Sequence, residues 1–264
     1  MTDAKFNFPV LENPAPSLSL SEAEGIAERW FENPREIKSL ASERDQNFHV
    51  KNKNNESFVL KIANSKEDLG TLDFQNKALK HLAENTTLLL PRVESDISGN
   101  EIVTITIKRK QFYVRMVSFI NGIILNDLDS LSDYESLYTN MGFFLGSLGK
   151  GLRNFKHPSS NHKLLWDMSH TNLLYDLLPC IESKTNKQIA HKALSYFTKH
   201  IEQPLSQLRT QVIHNDMNPD NVILVSSKSS QIAGMIDFGD MVKAPLINDL
   251  AVAASYQTIA MNDI

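Results

Sequence analysis

Three side chains in the last quarter of the chain have the types and spacing that phosphoryl transfer requires. Asp216 lies two positions after His214 and five before Asn221, and Asp237 opens a later Asp-Phe-Gly triplet. A carboxylate at 216 can orient an attacking hydroxyl and take its proton, while the Asn221 amide and the Asp237 carboxylate can hold magnesium on nucleotide phosphates. Taken alone, the run Asn-Asp-Met-Asn-Pro-Asp-Asn is also what a turn-rich loop looks like, since Asn, Asp and Pro all favour turns. The segment between the two motifs adds to the first reading. Residues 222–225 and 232–236 are apolar runs around a Ser/Lys turn at 226–230 and predict a hairpin, whose open end brings Asp216, Asn221 and Asp237 together.

A polyphosphate also needs a cation. In residues 57–63, Phe58, Leu60 and Ile62 face one way and Val59, Lys61 and Ala63 the other. A lysine sharing a face with small apolar side chains can reach the inner phosphates of a nucleotide whose base lies over a flat surface that includes Val59. On this segment alone an exposed strand lysine is the plainer alternative. The preceding loop, 42–47, would cover the phosphates. It contains no glycine, so Ser42, Asn47 and backbone N–H groups would replace the close approach of a glycine-rich loop.

The elements that must position these groups follow from periodicity. The first twenty residues, with Pro9, Pro14 and Pro16, read as a loosely held arm. Ser21 and Glu24 make a capping-box start for a helix that ends before Pro34. Strands are expected over 36–41, 46–51 and 57–63, a helix over 66–84 capped by Ser65, and strands over 104–107 and 112–117 that complete an antiparallel sheet. Residues 118–122, including Phe119, form a linker whose backbone can meet a purine edge or simply turn the chain. Ser132 and Glu135 open a helix with an apolar stripe from Leu137 to Leu152, a core face. Residues 164–181 and 189–208 predict two more helices. Trp166 and Asp167 head the first of them, facing an acceptor cleft or, for the tryptophan, packed in the core. Asp127, Asp129 and Asp133, with Asp167, hint at a cationic acceptor, although acids at helix starts are commonly solvated. The shift from strands to helices divides the chain into residues 1–116, with the arm at 1–20, and residues 117–264.

Composition narrows the partners. The 264 residues carry a formal net charge of -4, with 22% charged and 41% hydrophobic residues, the balance of an ordinary globular protein. An acidic chain without a basic stripe argues against nucleic acid, and no apolar run suits a membrane span or a secretory leader. Cys180 is the sole cysteine, so no intramolecular disulfide forms and a reducing cytoplasm is expected. The segment 240–249 is too short to rest a peptide on, which favours a small-molecule acceptor. The apolar helix expected over 249–260 would need partners, so the second half is expected to be truncated and the chain to be part of a longer multidomain protein.

The segments FVLKIAN, VRMVSFING, LLWDMSH, VIHNDMNPDNVILV and IAGMIDFGDMVKAPLINDLAVA together resemble the aminoglycoside phosphotransferase and choline kinase superfamily, from about residue 36 onward. IDFGDM, SERDQNF and LDFQN look most like its hydroxylysine kinase-like group, which includes phosphotransferase domains fused to aminotransferases. The resemblance implies an α+β, protein-kinase-like bilobal fold: an N-terminal lobe with an antiparallel sheet and a helix, and a mainly helical C-terminal lobe with a catalytic-loop hairpin. It implies transfer of the terminal phosphoryl group of ATP or GTP, with Mg2+, to a hydroxyl of a small, often amine-bearing acceptor. Asp216 would be the base, Asn221 and Asp237 the magnesium ligands and Lys61 the phosphate contact, with His214 and Asp249 supporting the loop. Gln75 stands where such folds carry the glutamate that holds the strand lysine, and Glu67, Asp68 and Asp73 are further partners for it. Asp240 could assist the metal or be a solvated turn residue. A loop without glycine and a neutral Gln75 leave a non-catalytic nucleotide-binding module as the alternative.

Overall fold

The computed structural model describes residues 9–261, with side chains described as far as residue 257. Residues 1–8 of the expected arm lie outside the described residues. The rest of the arm is docked, because Asn13 donates to the side chains of Asn64 and Ser65, and the Gln46 side chain bonds both the N–H and the carbonyl of Leu18. After a single turn, α1 (Pro9–Glu12), comes α2 (Leu20–Ala27). Its capping box is Ser19 with Glu22, two residues earlier than the Ser21 and Glu24 pair predicted.

An antiparallel sheet follows, built from β1 (Arg35–Leu40), β2 (Gln46–Lys51) and β3 (Ser57–Ile62), and, after α3 (Leu69–Asn85), β4 (Val93–Glu94), β5 (Val103–Ile107) and β6 (Lys110–Ser118). The strand order is β1-β2-β3-β6-β4, with β5 pairing the other end of the long β6. Alternation sorts its faces. Phe48, Leu60 and Met116 lie opposite one another and pack under Ala23, Ile26 and Trp30, with all six nearly inaccessible to solvent. Each of the larger of these side chains contributes about 2 kcal/mol by leaving water. On the other face the same register aligns Asn47, Lys61 and Arg115 in a polar row. α3 starts at Leu69, later than predicted, because Asp68 rather than Ser65 accepts the Thr71 N–H.

The second half opens with β7 (Ile123–Ile124) and α4 (Tyr134–Gly151). Asp133, not Ser132, caps α4 by accepting from Ser136 N–H. Leu137, Leu148 and Leu152 of the predicted stripe are fully buried in the main core, which also holds Phe74, Leu82 and Met217. The helix predicted over 164–181 is instead a series of 310 turns, Met168–Cys180, interrupted at His170 and carrying Pro179. The helix predicted over 189–208 divides into α5 (Lys184–His200) and α6 (Glu202–Ser206). Pro204 has no N–H to give the carbonyl of His200, so α5 cannot continue. The chain ends with β8 (Thr210–Ile213), β9 (Val222–Leu224), β10 (Ile232–Met235), β11 (Val242–Pro245) and α7 (Ile247–Met261). β9 and β10 form the predicted hairpin, with β7 added on the far side of β9, while β8 pairs with β11. β4, β7, β8 and β11 were not predicted, being only two to four residues long. No helix among the described residues is long and apolar enough to cross a membrane.

Candidate active site

The hairpin register decides where the two motifs meet. Val222 lies opposite Met235, and the N–H of Ile236 donates to the carbonyl of Asn221 at 2.9 Å, so Asn221 and Asp237 leave the same end of the β9–β10 ribbon. The loop before β9 is closed by its own polar side chains. Asn218 Oδ1 accepts from the N–H groups of Asp220 and Asn221, and Asn218 Nδ2 donates to Asp216 Oδ1 at 2.9 Å. Asn221 Nδ2 donates to the Asp216 carbonyl and to Asp216 Oδ2 at 2.7 Å. With its nitrogen committed, the Asn221 side chain has its oxygen left for a cation.

Asp216 sits in a partly buried cluster of acids. Burial, followed by the charges of Asp240 and Asp237, raises its pKa to about 7 against the lowering effect of the Asn218 and Asn221 hydrogen bonds. Asp237 goes the other way. The Lys61 ammonium, 3.8 Å from Asp237 Oδ1, is the main cause of a pKa lowered to about 2, helped by the Gly239 N–H and Arg44. The Asp237 side chain is 46% exposed, so its oxygens remain open to solvent or a ligand. Asp237 and Asn215 both hold left-handed backbone, with φ of 53° and 66°. A β-carbon there costs free energy that the surrounding contacts must offset, a pattern common at functional sites.

His214 is completely buried and its pKa is lowered by desolvation to about 4, so the ring is neutral. Its Nδ1 accepts from the Asp216 N–H at 3.2 Å, and its ring meets Phe238 edge-on at 4.7 Å. Its Nε2 faces the backbone of Ile236 and Asp237 without reaching hydrogen-bond geometry. Asp249, at the start of α7, accepts from the N–H groups of His214 and Asn215, and burial raises its pKa to about 6. Histidine and aspartate thus grip the loop from behind.

The remaining predicted residues fall into three groups. Val59 and Phe119 both adjoin His49: Val59 pairs with His49 and Val117, and Phe119 packs edge-on against His49 at 4.7 Å. Asn47 lies directly across from Lys61, buried, its Oδ1 without a partner, whereas Ser42 is exposed and makes none of the side-chain hydrogen bonds found among the described residues. The acids of α3 do not pair with Lys61: Asp68 caps the helix, Asp73 bonds His157 Nε2 at 3.1 Å, and the Glu67 side chain accepts from the Asp68 N–H. Gln75 accepts from Arg115 and donates to the Gly239 carbonyl at 3.4 Å. Gln75 therefore ties Arg115 directly to the triplet's glycine carbonyl instead of holding the lysine. Asp167 is buried and caps the following turn through the Ser169 N–H, which corrects its expected place facing an acceptor. Trp166 is 40% exposed, not packed in the core.

Four residues were missed. Arg44 reaches from the β1–β2 loop to Asp240 at 2.5 Å and lies over the Trp166 ring at 5.2 Å from its centroid. Arg115 is buried behind Lys61. Asn218 shapes the loop. Tyr256 of α7 has its pKa raised by burial and then by the charges of Asp216, Asp240, Glu43 and Asp220. The missing glycines in the β1–β2 loop were the available signal for Arg44.

A model of the phosphotransferase enzyme family matches residues 36–262. The chain belongs to this family. Among curated relatives, this phosphotransferase is similar to the hydroxylysine kinases of Mus musculus, 26% identical over 92% of this chain and 70% of the relative, and of Bos taurus, 27% identical over the same shares. Among solved structures, it is similar to a microcompartment-associated aminopropanol kinase, with a TM-score of 0.72 at 17% identity over 89% of this chain and 74% of the other. The amicoumacin kinase hAmiN in complex with AMP-PNP, Ca2+ and Ami gives 0.67 at 13% over 89% and 68%. The phosphotransferase fold is therefore the α+β, protein-kinase-like one that the motifs implied.

Proposed function

We propose that this phosphotransferase moves the terminal phosphoryl group of ATP or GTP to a hydroxyl of a small, amine-bearing acceptor. The nucleotide lies between an N-terminal lobe, residues 1–116, and a C-terminal lobe, residues 117–264. The observation carrying this reading is that Lys61 and Asp237 meet beside Asp216, whose carboxylate is in turn fixed by Asn221. Magnesium takes one or two protein ligands together with phosphate oxygens and water, and the half-exposed Asp237 carboxylate with the Asn221 amide oxygen fits that need. With the ion bound there, phosphate oxygens and water would supply its remaining ligands. When bound, the ion neutralises charge on the transferred group.

The chain's own residues do the rest. Lys61 holds the inner phosphates, and Asp216, restrained by Asn218 and Asn221, orients the acceptor hydroxyl and receives its proton. A base with a pKa near the working pH is well matched to that step. His214 and Asp249 keep the loop in place. Asp240, Trp166, Tyr256, Glu43 and Asp220 give the acceptor side acidic and aromatic groups, which suit an ammonium. The relatives named hydroxylysine kinase and aminopropanol kinase have acceptors of this type in their names. A cytoplasmic setting belongs to the same reading, supported by the free, exposed thiol of Cys180.

The test is a turnover screen with ATP or GTP and Mg2+ against hydroxylated amines and amino acids, 5-hydroxylysine and 1-amino-2-propanol included. Acceptor-dependent nucleoside diphosphate release, abolished by Asp216→Ala, is expected. Tight nucleotide binding without turnover on any acceptor would instead indicate the non-catalytic module.

A further inference from the structure

We propose that Arg44 is a catalytic residue that contacts the terminal phosphoryl group, taking over from the glycines that the β1–β2 loop lacks. The inference rests on the kinase reading of the site. Four observations point to it. The Arg44 guanidinium crosses from the sheet half to bond Asp240 at 2.5 Å, with both side chains mostly buried. It lies over the Trp166 ring, 5.2 Å from the centroid. It runs close above Gly239, where an added β-carbon would stand 3.2 Å from Arg44 Nη2 and 2.9 Å from Asp237 Oδ1. Asp237 therefore has two cations at hand, Lys61 at 3.8 Å and Arg44 over the adjoining peptide.

A polyphosphate held by Asp237 through a cation must lie against these same groups. A glycine-rich loop approaches phosphates with its backbone; a loop carrying Ser42, Glu43, Arg44 and Asp45 cannot come as near, and a long planar side chain supplies the missing reach. Guanidinium is also the group best suited to bind phosphate oxygens in pairs while stacking on an aromatic face. Within the protein its partner is Asp240. That partnership is incompletely compensated, since burial outweighs the arginine and leaves the Asp240 carboxyl with a raised pKa. A phosphate with several charged oxygens is the stronger competitor for Arg44.

In the step itself the bond between the terminal phosphorus and its bridging oxygen breaks, leaving nucleoside diphosphate, and the bond to the acceptor oxygen forms. The acceptor proton goes to Asp216. Arg44 binds non-bridging oxygens of the moving group and neither gains nor loses a proton.

The experiment separates the last phosphate from the first two. Affinities for a non-hydrolysable triphosphate analogue and for the diphosphate are measured with Mg2+ for the full chain, Arg44→Ala, Arg44→Lys and Asp240→Asn, alongside acceptor-dependent turnover. Arg44→Ala is expected to lose roughly tenfold or more in triphosphate affinity, as for a charge-assisted hydrogen bond, with diphosphate affinity within about twofold of the parent. Arg44→Lys falls between them, and Asp240→Asn retains the preference for triphosphate. Equal losses for both nucleotides, the mark of a collapsed loop, or no loss for either would overturn the role of Arg44. Absence of turnover in the unaltered chain, with the triphosphate preference intact and Arg44-dependent, would sink the kinase reading while sparing the arginine contact.

Discussion

Arg115 and Gln75 are hydrogen-bonded in the interior, on the face of the sheet that also carries Lys61. Arg115 is 4% exposed, and its Nε has no partner. Among the described residues, Gln75 and Asn76 alone supply side-chain oxygens to its two Nη groups. Gln75→Ala leaves one arm of a buried cation unpaired and is expected to cost about 2–4 kcal/mol. Urea unfolding checks it through a lower midpoint at unchanged slope. Gln75→Glu, which keeps an acceptor and adds the opposite charge, is expected to stay close to the parent.

Asp216 sets the pH dependence of turnover. Because its carboxyl titrates at about 7 and must be ionised to accept a proton, kcat/KM rises with pH up to that value and then levels. The stability effect has the opposite sign. The folded carboxyl binds its proton more tightly than the unfolded one, so between about pH 4 and pH 7 the folded state loses stability as pH rises. Asp216→Asn is therefore expected to abolish turnover while raising stability at pH 8 by about 1–3 kcal/mol. A rate independent of pH between 5 and 8, or a destabilised Asp216→Asn, would contradict this assignment.

His214 works in the reverse sense. Its folded pKa of about 4 is below the ordinary histidine value, so the unfolded chain takes up the proton first and stability falls as pH drops from about 6.5 to 4. His214→Gln removes that titration. Thermal melts across this window are expected to show a shallower decline for the variant, set against a lower melting temperature at pH 7 from lost packing on Phe238.

Lys61 is the main cause of the depressed Asp237 pKa. Lys61→Met is expected to bring that carboxyl back toward the ordinary range and to reduce turnover by roughly a hundredfold, typical for removal of a charge-stabilising donor. NMR titration of the Asp237 carboxyl carbon reads the first effect. An unmoved titration would mean that some other group holds Asp237 ionised.

What the sequence made legible was whatever recurs with a fixed period or spacing. Alternation in residues 57–63 put Lys61 on the correct face, and two apolar runs around a polar turn gave the β9–β10 ribbon. Three things stayed hidden for identifiable reasons. Cap choice between Ser19 and Ser21, or between Asp68 and Ser65, turns on one hydrogen bond that several neighbours could make. Pro179 and Pro204 forbid regular helix that the apolar spacing favours. Long-range polar partners leave no local pattern: Arg44 is 196 positions from Asp240, and Gln75 is 40 from Arg115. The family match from residue 36 onward supplies the fold but is equally silent on those pairings.

Gly122 has a φ of 153°, and a β-carbon there would stand 2.4 Å from the Leu224 carbonyl oxygen. The chain leaving β6 is thus pressed onto the ribbon and at once becomes its third strand. Two residues after Ile120–Asn121 the chain pairs directly with β9, so a shift of the end of β6 is passed to the ribbon carrying Asn221.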